Sequence, residues 1–138
     1  MDKKKIIRIA IYVVVAIVAI WILWRLGKKI YDKIQSNKNA RGLEGSIVSS
    51  ELTYDAPQYK SFAKTLYEAM KGPGTDEDKV AEVFKQMNSR SDVLMLKKEY
   101  GVIDGQTLDE WIDDDFSASG KEEYINKILR TKSIQYVF

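Results

Sequence analysis

One run, Ile6 to Leu26 (IIRIAIYVVVAIVAIWILWRL), constrains this chain more than any other. A helix needs roughly 20 apolar residues to cross a hydrocarbon core of about 30 Å, and Ile6 to Leu26 has that length. In lipid a single segment satisfies its own backbone only as a helix, so the many Val and Ile residues are no obstacle. Arg8 lies close enough to the start of the run to snorkel back to the headgroups. Trp21 and Trp24 sit near the far end, where aromatic rings favour the membrane–water interface, and Arg25 closes it. A buried core helix would have to be apolar on every face within a chain of 138 residues. A cleavable secretory signal fits less well: Lys3, Lys4 and Lys5 resemble its basic start, but bulky Trp21, Leu23, Trp24 and Arg25 occupy the place of a small-residue cleavage site. The run reads as an uncleaved anchor.

Charge divides the chain in two. Residues 1–41 hold ten Lys and Arg against two acids, and residues 42–138 hold twelve against eighteen. The basic part suits anionic headgroups, through Lys28, Lys29 and Lys33 just after the anchor. The acidic part argues against nucleic acid as a partner and suits cations or a basic protein. Six basic residues follow the apolar run and four precede it, which places the soluble part on the cytoplasmic or interior side. There are no cysteines and no histidines, so disulfides, thiolate metal sites and Ser-His-Asp catalysis are excluded. The remaining enzyme chemistry is that of carboxylates or lysine, and the chain is expected not to be an enzyme.

After the anchor, Leu26, Ile30 and Ile34 recur every four residues among lysines. This spacing predicts a short basic amphipathic extension of the helix. Ser36 to Gly45 is polar and reads as a linker. The expected organisation is a basic tail over residues 1–5, a transmembrane helix over 6–26, a juxtamembrane helix and linker over 27–45, and a helical domain over 46–138. Within that domain Pro57 opens a first helix that Gly72 and Pro73 stop. Thr75 with Asp78, Ser91, Thr107 with Glu110, and Ser119 with Glu122 are expected to cap four more. Ile134, Tyr136 and Phe138 alternate and are expected to dock as an extended tail. The architecture is all-α: one transmembrane helix and a small five-helix bundle.

The most unusual local sequence is Met70 to Glu77, MKGPGTDE. Two glycines one residue apart, before a capped helix, let a tight loop turn its carbonyls outward. Such carbonyls coordinate a hard cation when a carboxylate joins them, which is the donor mix calcium takes. Asp113, Asp114 and Asp115 are the nearest candidates to supply it. The loop is no phosphate-binding P-loop, because no Lys follows Gly74 and no strand precedes it. Asp115, Ser117, Ser119 and Gly120 mimic the start of an EF-hand, but its twelfth position is Asn126 rather than a bidentate Glu.

The loop MKGPGTDED, the turn Arg90-Ser91-Asp92 and the segment GQTLDEWIDDDF together resemble an annexin repeat over roughly Tyr59 to Leu129. The resemblance implies a five-helix module whose loop carbonyls and a distant acid bind calcium and bridge to anionic phospholipid. The matching carbonyls are those of Met70, Gly72 and Gly74. The matching acid is Asp115 by local alignment and Asp114 by residue count from Thr75. The chain departs from the family in having one repeat rather than four, Pro73 between the glycines, and Asp in place of the more usual Glu. Single modules of this kind resemble those of bacteria and their viruses. The expected role is a single-pass, membrane-anchored structural or interaction protein, such as a virion membrane component, that contacts the bilayer and a protein partner or copies of itself. The alternatives are a calcium-dependent phospholipid-contact module and a cell-wall-associated hydrolase accessory.

Overall fold

The computed structural model describes residues 2–138, so Met1 of the basic tail lies outside them. The first element, α1 (Lys3–Glu44), is one unbroken helix of 42 residues capped by Asp2. It contains a stretch long and apolar enough to cross a membrane, and none of that stretch is buried by the rest of the protein. The tail is therefore helical from Lys3. Ser36–Gly45 is not a linker either, because the helix persists to Glu44. The reason is tertiary. Lys28, Asp32, Gln35, Ser36, Asn39, Ala40 and Leu43 recur at three- and four-residue spacing and are each partly buried against the domain. The apolar stripe is on the other side: Ile30 and Ile34 remain 61% and 51% exposed.

The domain follows a short turn at Ser49–Glu51. Its helices are α2 (Ala56–Met70), α3 (Glu77–Gln86), α4 (Arg90–Tyr100) and α5 (Leu108–Asp115). A last helical segment comprises α6 (Ala118–Lys121), a π-turn (Glu122–Asn126) and α7 (Lys127–Thr131). The expected five-helix bundle is thus present. Its core holds Tyr59, Leu66, Met70, Val80, Phe84, Met87, Leu96, Leu108, Ile112, Ile125 and Leu129. An element not expected is a hairpin of β1 (Val102–Ile103) with β2 (Gln106–Thr107). Asp104 and Gly105 turn it with φ of 53° and 82°, the left-handed pair that a tight primed turn requires.

Three helix starts differ from the sequence-based assignment. Asp76, not Thr75, caps α3 by accepting from the Lys79 amide. Ser89, not Ser91, caps α4, because the Ser91 hydroxyl is drawn to Glu51 and the Val48 amide. Ser117, not Ser119, caps α6. Thr107 and Glu110 form the expected capping box. The tail docks as the alternation requires, with Ile134 buried and Tyr136 and Phe138 packed on the core. Lys97 holds Tyr136 and pairs with Asp109 at 2.7 Å, while Asn126 clasps both backbone groups of Phe138.

One charge is completely buried. The Asp92 carboxylate accepts hydrogen bonds from the Thr53 amide (2.9 Å) and hydroxyl (2.7 Å), the Asn88 amide (2.8 Å) and the Tyr59 hydroxyl. Burial opposes its ionisation, but these donors outweigh burial and hold its pKa below the usual range. Burial and the bond to Asp92 push the Tyr59 hydroxyl up to about 12. Asp92→Ala would leave those donors unpaired and is expected to destabilise the domain by about 3 kcal/mol or more. The folded pKa is depressed, so the stabilisation is present above pH of about 4 and is lost as pH falls through the folded value. Urea melts of wild type and D92A at pH 7 and pH 3 should therefore converge at the lower pH.

Candidate functional site

The glycine loop sits where α2 gives way to α3. Lys71 ends α2, and Gly72 and Gly74 both take positive φ, 88° and 85°. No other residue enters that region without strain, so the two glycines are required by the loop's backbone path. The Asp76 amide reaches back across the loop to the Ala69 carbonyl at 2.9 Å and closes it. Among the described residues, none of the carbonyls of Met70, Gly72 and Gly74 accepts a protein hydrogen bond.

Of the two candidate acids, the structure selects one. Asp115, at the end of α5, accepts from the Thr75 hydroxyl at 3.0 Å and so stands at the loop. Asp114 turns instead to the side-chain amide of Gln106 on the hairpin, and Asp113 pairs with Lys121 at 2.6 Å. The assignment by local alignment therefore fits the geometry, and the one by residue count does not. Asp76 is occupied as the α3 cap and by Lys79, whose bonds hold its pKa low. Among the described residues no cluster of three or more His, Cys, Asp or Glu is placed to hold a metal. A cation here would rely on one carboxylate and backbone oxygens. That set fits a hard ion but supplies little charge.

A residue the sequence did not point to lies close by. Tyr100 is buried to 3% exposure, and its hydroxyl has no hydrogen-bond partner. Burial, with the nearby Tyr67, Asp104 and Asp115, drives its pKa upward. Tyr67 donates to Asp104 at 3.0 Å and packs edge-on against Trp111, whose indole N–H donates to the Ile103 carbonyl at 3.0 Å. These residues bind the loop end of α2 to the hairpin.

The hairpin in turn is gripped by α1. Asp32 accepts from the amides of Asp104 (3.1 Å) and Gly105 (3.0 Å), and Lys28 pairs with Asp104 at 2.8 Å. The Val102 amide donates to the Ser36 hydroxyl at 2.7 Å. Gly101, at φ 65°, lies so close that an added Cβ would come within 2.6 Å of the Ser36 Oγ. Arg25 stacks over Trp21 and Lys28 over Trp24, at 5.3 Å and 5.6 Å. Ile6, Arg8 and the rest of the apolar run touch nothing in the domain. Lys29 and Lys33 remain exposed on α1.

Residues 61–125 match the annexin family model. The helical domain accordingly carries a single annexin-like repeat, set behind a helix of membrane-spanning length. No curated protein and no solved structure gives a significant match.

The buried, unpaired hydroxyl of Tyr100 is a net cost to the fold. Tyr100→Phe is expected to leave the structure intact and raise stability by about 1 kcal/mol, read as an upward shift in thermal midpoint.

Proposed function

We propose that the protein is a single-pass, membrane-anchored interaction protein that presents its annexin-like domain at the bilayer surface in a non-enzymatic role. The observation that carries this reading is the continuity of α1. One helix holds the apolar run and, without a break, the polar face on which the domain is seated. The exposed stripe of Leu26, Ile30 and Ile34, beyond the apolar run and away from the domain, is the surface this reading assigns to protein contact. In a vesicle flotation assay the full chain is expected to rise with lipid and to resist alkaline extraction. Val14→Lys with Val18→Lys should abolish both, since each lysine opposes insertion by roughly 3 kcal/mol at the helix centre. A wild-type chain that stays soluble without lipid or detergent would refute the anchor.

A second reading is calcium-dependent contact with phospholipid, favoured by the Thr75–Asp115 bond that brings a carboxylate to the glycine loop. Met70, Gly72, Gly74 and Asp115 would hold the ion, which would supply positive charge toward a lipid phosphate. Calorimetric titration of calcium into the detergent-solubilised full chain should then give heat that Asp115→Asn removes. Equal heats from the two proteins would eliminate this site.

A further inference from the structure

The contacts between α1 and the domain set the domain's height along the helix. Farthest from the apolar run, the Val48 amide bonds to Ser91 at the start of α4. Nearer to it, Gly101 and Val102 at the end of α4 meet Ser36. Nearest of all, the hairpin tip meets Asp32 and Lys28. Helix α4 therefore runs back toward the apolar run. So does α2: Tyr59, near its start, bonds to Asp92 beside Ser91, and Tyr67, near its end, bonds to Asp104.

This fixes where the glycine loop lies. Headgroups extend about 5–7 Å beyond the hydrocarbon core, or roughly four helical residues past Leu26. Lys28 and Lys29 fall in that layer, and Lys28 holds Asp104 there. Gly72 follows Tyr67 by five residues, a rise of up to about 7 Å further toward the bilayer. The Lys71 ammonium, 5.5 Å from the Tyr67 ring centre, lies on the way.

Charge at this end suits phosphate. Trp21, Trp24, Arg25, Lys29 and Asp104 help line a cleft of about 380 Å³ between α1 and the hairpin. Among the described residues Arg25, Lys29 and Lys71 have no carboxylate partner. Asp76, Asp113, Asp114 and Asp115 each already have a protein donor.

The geometry points to a second membrane contact: the end of the domain formed by Lys71–Gly74 and the hairpin tip rests on the phosphate headgroups of the bilayer that α1 spans. The inference builds on the anchored reading above. The pose is imposed by protein contacts, so it needs no calcium, and it presents the loop to its own membrane rather than to an apposed one.

The test uses the full chain in phosphatidylglycerol-containing nanodiscs. The chain has no cysteine, so Pro73→Cys and Ser50→Cys each accept one nitroxide. With chelator present, the label at position 73 should lose accessibility to an aqueous nickel complex and gain relaxation from nickel-chelating lipid, while the label at 50 should do neither. Adding Lys28→Ala, Asp32→Ala and Ser36→Ala, which leaves net charge unchanged, should release the pose and make 73 resemble 50. Circular dichroism of that variant confirms that the domain stays folded. Equal exposure of 73 and 50 in the unreleased chain, or shielding of 73 only when calcium is added, would overturn the inference while the anchor stands. Failure to enter nanodiscs at all would instead defeat the anchored reading and this inference together.

Discussion

The Asp92 carboxylate is the tie on which the domain's packing depends. It lies under three separate pieces of chain, the strand-like entry at Thr53, the body of α2 at Tyr59 and the α3–α4 corner at Asn88. A charge is tolerated in such a place only when its lone pairs are filled, and here four donors fill them. The packing of α2 on α4 follows from this one anchorage. That packing carries Tyr67 to the hairpin and the glycine loop to the far end of the domain. A neutral apolar residue could fill the same volume, but it would not specify which backbone amides come together.

The second constraint is the stiffness of α1. Gly27 and Gly42 each weaken a helix by about 1 kcal/mol relative to alanine, yet the helix passes through both. Gly27 lies at the edge of the apolar run, where a lipid headgroup layer offers the backbone few competing partners. Gly42 lies in the half supported by the domain. The docking face of α1 is polar: Lys28, Asp32 and Ser36 do the gripping, while Ile30 and Ile34 remain outside. A polar face seats the domain through directional bonds, which set register and rotation. An apolar seam of the same area would allow sliding.

This polar face is also what sequence periodicity concealed. The repeat of Leu26, Ile30 and Ile34 is easy to see, and it marks the side the domain does not use. Ser36 to Glu44 looks like a linker because its helical support comes from contacts up to about seventy residues away in sequence, and propensity carries no trace of those. The hairpin was legible: Asp104-Gly105 is the dipeptide that a type I′ turn asks for, flanked by short apolar runs. The shifted caps have a common cause. Thr75, Ser91 and Ser119 are good caps in isolation, but in each case a neighbour closer to the helix's true start was available. Thr75 and Ser91 had tertiary partners as well. What the residues did reveal plainly was the apolar run, the five-helix rhythm, the Thr107–Glu110 box and the glycine loop. Each of these rests on local pattern alone. The buried charge of Asp92 and the orphan hydroxyl of Tyr100 depend on the assembled fold.

The anchor also changes what the loop has to achieve. A peripheral protein must gather its membrane affinity from its own surface sites, and four repeats multiply weak ones. A single repeat held by a spanning helix starts with its loop already at the headgroups. Its effective local concentration there is in the millimolar range, as for any short tether whose reach matches the distance. A contact with millimolar affinity is then substantially occupied, though the same contact on a free domain would go unnoticed. The features that weaken this loop as a cation site, one Asp carboxylate and a proline between the glycines, are therefore compatible with service at the bilayer. The interaction energy resides in the apolar run, and the loop and hairpin supply orientation.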